Sequence, residues 1–244
     1  EFDRNIYVVG LPQALHFRQV FSVLGLLGFE WSRDCIHVGF GHVRLPEGKM
    51  ATREGEVIPL EDVLNEAVRR AAAMMDAERK AEDPQKVAEA VGVGAMVYTF
   101  LKNSRERDII FSWDEMLDLE GESGPYLQYT YARASSVLRR AEAAGGLPDD
   151  ADYARLTSDE EFELVDLMNA YPDTIFEAAQ KYEPSILARH VMAIARAYNK
   201  FYHFNNILDA APGVREARLH LCQAARTLLG TGLTLLGIER LERM

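Results

Sequence analysis

The sequence predicts a mainly α-helical protein, with a short parallel α/β segment at its N-terminal end followed by an all-helical bundle. Three observations predict it. Residues 1–66 alternate strand-like apolar runs with one amphipathic helix and hold no hairpin turn, the pattern of a parallel crossover. Beyond Ser123 the apolar residues recur at helical spacing, with breaks at Gly145-Gly146-Leu147-Pro148, Tyr171-Pro172, Glu183-Pro184 and Pro212-Gly213. The 244 residues are 48% hydrophobic, enough for one large domain or two small ones with separate cores.

Residues 6–9 read as a short apolar strand. Residues 13–27 form an amphipathic helix with Leu15, Val20, Phe21, Leu24 and Leu27 inward, closed by Gly28. Residues 36–40 are a second strand, and 57–60 a brief extended piece. From Leu60 to about Ala90 the chain is helical and charged, with Leu64, Val68, Ala71 and Ala72 inward and a break at Asp83-Pro84. Val91-Gly92-Val93-Gly94 interrupts the helix again before residues 95–101. Residues 109–111 are extended, 113–116 a turn, and 121–124 the best domain boundary. Helices follow over about 125–144, 158–170, 172–181, 184–207 and 214–229. Ser158 and Glu161 have capping-box spacing, and Ser185 helps to start the long helix. This gives three regions: 1–66, 67–122 and 123–244.

Composition narrows the function. Cys35 and Cys222 lie far apart, give no disulfide framework and show no metal-ligand spacing, which points to a reducing cytoplasm. No signal peptide and no apolar run of bilayer length is present. A chain that opens on a strand reads as cut from something longer. The net charge of −11 argues against a uniformly basic nucleic-acid binder. Its distribution matters more. Residues 142–184 hold twelve acids and two bases, whereas 123–141 hold three bases and no acid, and 185–244 eight bases and four acids. The two less acidic segments can form one RNA-facing side, the acid runs being solvated surface.

Four groups of residues can carry chemistry. Gln13 and His16 stand one turn apart just beyond the first strand, where parallel α/β sheets bind ligands, although on these residues alone a helix start and an interfacial histidine are the plainer explanation. His37 and His42, five apart across a strand end, are a poor metal pair. The glycines between His37 and Val43 allow the close backbone approach that an adenine or a packed loop needs. Lys49 and Arg53 sit in a polar loop able to clasp a triphosphate, though such loops are commonly plain surface. Gly124-Pro125-Tyr126-Leu127-Gln128-Tyr129-Thr130-Tyr131-Ala132-Arg133 opens a helix with three tyrosines, one arginine and no acid. Tyr126 and Arg133 share a face of it, so an unstacked base can lie on a ring near a guanidinium; packing also produces tyrosine-rich helix starts. On the long helix Tyr198 and Tyr202 are one turn apart and form an aromatic ledge, unless both are core, a reading that weighs more on Tyr202 than on Tyr198.

Together these residues resemble one family. The order is Tyr7-Val8-Val9-Gly10, Gln13, His16-Phe17, His37-Val38 with Phe40-Gly41, then Lys49-Met50-Ala51-Thr52-Arg53-Glu54-Gly55, Gly124-Pro125-Tyr126-Leu127-Gln128-Tyr129 and a closing Glu242-Arg243-Met244. It is similar to the C-terminal part of class I arginyl-tRNA synthetases over nearly the whole chain. The resemblance implies that 1–66 is the closing part of a Rossmann-like catalytic domain, 67–122 a helical connecting region like a stem-contact fold, and 123–244 an anticodon-binding bundle. It implies that Gln13 holds arginine, that His16, His37, Val43, Lys49, Thr52 and Arg53 serve the ATP site with Lys49 acting in catalysis, and that Tyr126, Arg133, Tyr198 and Met244 meet the tRNA anticodon with Tyr202 supporting them.

The implied reaction is ATP-dependent activation of arginine, with Mg2+, and its transfer to tRNA, by a monomeric cytoplasmic enzyme with no tightly bound cofactor and no protein-held metal. Two departures from the family pattern stand out. Thr52 replaces the second lysine of the general class I loop and Ala51 its serine. No His-x-Gly-His motif occurs in these residues, so the chain alone is expected to be inactive. The rival expectations are an inactive paralogue that binds RNA or a protein partner, and a bundle that serves packing only.

Overall fold

A computed structural model describes residues 3–44, 59–75, 83–146 and 149–244. The chain forms two compact units, Glu1–Val57 with Asn103–Ser112 and Ile58–Lys102 with Trp113–Met244. In the first, β1 (Asn5–Gly10) leads through a 3-10 turn over Leu11–Gln13 into α1 (Ala14–Leu26) and back to β2 (Cys35–Phe40). The strands pair in parallel, Asn5 opposite Cys35 through Gly10 opposite Phe40, as the absence of a hairpin turn requires. β3 (Val43–Arg44) pairs in parallel with β4 (Ile109–Ile110). Asp108 ties this second pair together, accepting from the His42 amide at 2.8 Å and meeting Arg44 at 2.6 Å. The His42 amide, with Arg44 beside it, holds the Asp108 carboxyl below the usual carboxylate range.

The inward face expected for α1 needs correction. Phe21 and Leu24 are half-buried, but Leu15, Val20 and Leu27 are exposed, and no α1 residue is buried. Phe17 and Phe21 instead pack on Tyr7, each ring 5.3 Å away. A helix apolar on several sides needs more cover than a two-stranded sheet provides. Leu26 is 87% exposed and Val8 65%, so this unit carries an apolar surface open on both helix and sheet.

The second unit is helical. α2 (Leu60–Met74) packs against α3 (Pro84–Leu101), which starts where the Asp83 side chain accepts from the Lys86 amide at 3.1 Å. The interruption expected at Gly92 and Gly94 does not occur, since α3 runs straight through both. A Cβ at Gly92 would come within 2.7 Å of the Val68 nitrogen, so the glycine serves close helix packing rather than a break. α4 (Trp113–Leu117) replaces an expected turn. α5 (Gly124–Ala143), α6 (Asp159–Asn169), α7 (Tyr171–Lys181), α8 (Pro184–Phe204) and α9 (Val214–Leu235) follow the expected series, α9 running on through Gly230 and Gly232 to Leu235. Ser185 donates to the Glu183 carboxylate at 2.8 Å and does not cap α8. The core lies among α5, α8 and α9, with Leu127, Val191, Ile194, Phe201, Leu219 and Leu229 buried; each such side chain adds about 1.5–3 kcal/mol.

The Ser158–Glu161 capping box forms, and it does more than start α6. Glu161 is fully buried; it accepts from the Thr157 and Ser158 amides at 2.7 and 2.8 Å and pairs with Arg218 of α9 at 2.6 Å. Burial alone would raise its carboxyl, but the Ser158 amide, Arg218 and the Thr157 amide together hold it below its ordinary value. Because the folded value is the lower, this contribution is present above the unfolded carboxylate range and is lost as pH falls through the folded value. Glu161→Gln is expected to cost about 2 kcal/mol at neutral pH, with a gap from wild type that narrows on acidification. Urea unfolding at a series of pH values checks this; a gap constant down to strong acid would show that the ion pair contributes nothing.

Candidate functional site

Ser123 caps α5 by accepting from the Tyr126 amide at 3.2 Å, which fixes where the tyrosine-rich turn begins. From there two stripes of α5 do different work. One carries Tyr126, Tyr129, Thr130 and Arg133 toward α8. Asn199 of α8 stands at its centre, donating to Tyr126 Oη at 2.9 Å and Thr130 Oγ1 at 2.8 Å, and accepting from Arg133 at 2.6 Å. Arg133 also donates to Tyr129 Oη at 3.2 Å. Its guanidinium lies 4.7 Å from the Tyr129 ring centre and 5.1 Å from that of Tyr202. Three half-exposed or exposed rings and one oriented guanidinium therefore share a single surface, as stacking of unpaired bases requires.

The structure reverses the burial expected for the two α8 tyrosines. Tyr198 is 0% exposed and its hydroxyl lies 3.3 Å from Cys222 Sγ, so its ring faces the core and offers no face to a ligand. Burial pushes its phenol well above the ordinary range. Tyr202 is 39% exposed, its ring centre 6.4 Å from that of Tyr198. Burial follows the inner stripe Leu187, Val191, Ile194 and Tyr198, and Tyr202 falls one step beyond its edge.

The second stripe of α5 meets the C-terminal tail. α9 ends at Leu235, Gly237 takes a left-handed φ of 74°, and the Ile238 amide returns to the Leu233 carbonyl at 2.8 Å. The tail so turned buries Ile238 and Leu241 and is held by Gln128, which donates to the Glu239 carbonyl at 2.9 Å. Residues 239–244 then line a cavity of about 940 Å³ with Val87, Val91, Pro125 and Tyr129, which places Met244 in the same cavity lining as Tyr129.

In the first unit His16 and His37 both contact Phe17. His37 stacks on it at 4.6 Å and 13°, and His16 meets its edge at 5.6 Å. His37 Nε2 lies 2.9 Å from the Val9 carbonyl, so that nitrogen carries the proton and the ring is spent on the sheet. His37 pairs with Tyr7 in mid-strand rather than at a strand end. Gln13 and His16 are exposed beyond β1, and Val43 sits on the separate β3–β4 pair. Lys49, Thr52 and Arg53 lie outside the described residues. Sequence reasoning missed Asn199 and left Tyr129 out of the site. Asn199 was findable as the one uncharged polar residue set between Tyr198 and Tyr202.

Residues 1–113 match the family of class I tRNA synthetases (R), catalytic domain, and residues 127–244 the DALR anticodon binding domain. The chain is 49% identical to the arginine–tRNA ligase of Halothermothrix orenii and 46% identical to that of Clostridium botulinum, in both cases over its full length and 43% of the relative. It therefore spans less than half the length of the curated relatives it matches. Among solved structures it is similar to the arginyl-tRNA synthetase of Thermus thermophilus, with TM-score 0.89 and 30% identity over 99% of this chain and 41% of the other. The Plasmodium falciparum arginyl-tRNA synthetase matches with TM-score 0.78 and 25% identity over the same shares. The chain belongs to the class I arginyl-tRNA synthetase family, of which it spans a part containing both catalytic-domain and anticodon-binding-domain sequence.

Proposed function

We propose that the full-length protein attaches arginine to its tRNA at the expense of ATP, and that this chain supplies the anticodon-reading surface and part of the nucleotide site. The Tyr126–Asn199–Arg133 cluster with Tyr129 and Tyr202 carries the second half of this reading. In it one side-chain amide orients both a ring and a guanidinium before any ligand arrives, which lowers the cost of binding. Tyr126, Arg133, Tyr202 and Met244 meet the anticodon loop, and Tyr198 supports Tyr202 from beneath. The regions follow as 1–66 in the catalytic domain, 67–122 connecting and 123–244 binding the anticodon. The apolar surface of the first unit is covered by the rest of the catalytic domain.

Activation joins the arginine carboxylate to the α-phosphorus of ATP with loss of pyrophosphate, and transfer then moves the arginyl group to the 3′ end of tRNA with loss of AMP. Gln13 offers an amide donor and acceptor to arginine, His16 and the backbone from His37 to Val43 border the nucleotide, and Lys49, Thr52 and Arg53 meet the phosphates. Mg2+ enters with ATP. The enzyme acts as a monomer in the cytoplasm.

The full-length protein should attach labelled arginine, and no other amino acid, to tRNA when ATP is present. The 244 residues alone, without a His-x-Gly-His motif, should neither exchange pyrophosphate into ATP in the presence of arginine nor charge tRNA. Charging of a different amino acid would overturn the substrate assignment, and activity of the chain alone would overturn the division of the site.

A further inference from the structure

We propose that Glu242 is a positioning residue that sets the terminal Met244 against the RNA-facing surface, held there by the second stripe of α5 and by α9. This rests on the anticodon reading above. Glu242 lies outside the aromatic cluster, yet side chains from two helices converge on it. Tyr131 Oη donates to its Oε1 at 2.8 Å, and Arg226 of α9 to the same oxygen at 2.6 Å. Arg139 donates to its backbone carbonyl at 2.8 Å and lies 3.7 Å from Oε2. Arg226 is itself aimed by a 2.7 Å bond to Ser135 Oγ and lies 5.1 Å from the centre of the Tyr131 ring.

Tyr131, Ser135 and Arg139 recur at four-residue spacing, so a single face of α5 makes the clamp while the adjoining face makes the cluster. The clamp is costly as mere packing. It fixes two long arginine side chains around a carboxylate whose side chain is 54% exposed, and a pair so open to water adds little to folding. What it does fix is direction. Glu242 is two residues from Met244, about 7 Å of chain at most, so its orientation decides whether the terminal thioether faces the cavity that Tyr129 lines. Burial opposes ionisation of Glu242, but Tyr131, Ser135 and Arg226 hold its carboxyl below the ordinary range, so the clamp is closed at neutral pH.

The test uses the full-length protein and two labelled RNA stem-loops, one with the arginine-tRNA anticodon and one altered at the central anticodon base. Binding is titrated for wild type, Glu242→Gln, Met244→Ala and the double variant, with thermal unfolding of each. Glu242→Gln is expected to weaken the arginine loop by about tenfold, the scale of one lost base contact, and to leave the altered loop unchanged. The double variant should bind no more weakly than Met244→Ala alone, because Glu242 acts through Met244. Arg139→Gln, a change at an exposed side chain, should move the ratio between the loops in the same direction by less and keeps the test open if Glu242→Gln unfolds. An unchanged ratio in folded Glu242→Gln, or additive losses in the double variant, overturns the clamp alone. Equal binding of both loops by wild type overturns the anticodon reading and the clamp with it.

Discussion

Replacing Lys49 with alanine in the full-length protein is expected to lower the rate of arginine activation about 100-fold, the loss seen when one preorganised charge or donor is removed from a developing anion. The sequence carries this expectation. Lys49 opens the stretch Lys49-Met50-Ala51-Thr52-Arg53, where the general class I pattern has a second lysine and this chain has Thr52, so under the proposed reading fewer cations would meet the phosphates as pyrophosphate leaves. A contact that strengthens only as charge moves onto the leaving group affects the rate more than substrate binding. The affinity for tRNA should therefore stay within about twofold, and Lys49→Arg should recover only part of the rate, because a planar fork does not replace a compact ammonium. Rapid-quench measurement of the activation step, beside a tRNA binding titration, separates the two effects. A near-normal rate in Lys49→Ala would mean that another residue clamps the phosphates and that the loop match carries no mechanism.

How much of this protein could be read from its residues depends on which force decides each feature. Local chemistry was legible. Proline starts at Pro125 and Pro184, the Ser158–Glu161 box and the parallel strand pair all appear as expected. Features decided by distant neighbours were not. Gly92 looks like a helix breaker until α2 lies against α3, when the missing Cβ becomes the reason two helices can touch, and Gly94 does the same for Gln128 of α5 and Ile238 of the tail. α1 reads as amphipathic in one direction, yet its apolar residues Leu15, Val23 and Leu26 stay exposed.

The site shows the same split. Tyr126, Arg133 and Met244 could be named from a motif and a resemblance. Periodicity put Tyr198 and Tyr202 on one stripe but could not say that the stripe's edge falls between them. Asn199 meets Arg133 from 66 residues away and Glu242 meets Tyr131 from 111, relations that no single stretch of sequence contains.

The second large effect is expected at Arg133, and the bonds around it say which variants are informative. Arg133→Ala removes the guanidinium that lies near both Tyr129 and Tyr202 and leaves Asn199 Oδ1 without its 2.6 Å donor. Binding of the full-length protein to an arginine-tRNA anticodon stem-loop should weaken about 10- to 100-fold, since a lost charge-assisted contact and a poorly placed stacking ring add together. The slope of affinity against salt should fall by about one ion if the guanidinium meets phosphate. Arg133→Lys distinguishes charge from geometry: it should keep the salt slope but lose discrimination at the central anticodon base, because an ammonium cannot hold Asn199 and Tyr129 at once. Tyr126→Ala should cost about tenfold through lost stacking. Tyr126→Phe, which removes only the oxygen that Asn199 donates to, should cost less and read out the orienting bond alone. Circular dichroism and thermal unfolding establish that each variant is folded. The ordering carries the argument. If folded Arg133→Ala and Tyr126→Ala bind both the arginine loop and an altered loop as wild type does, the cluster is a packing device between α5 and α8, and the anticodon must be read elsewhere on the protein.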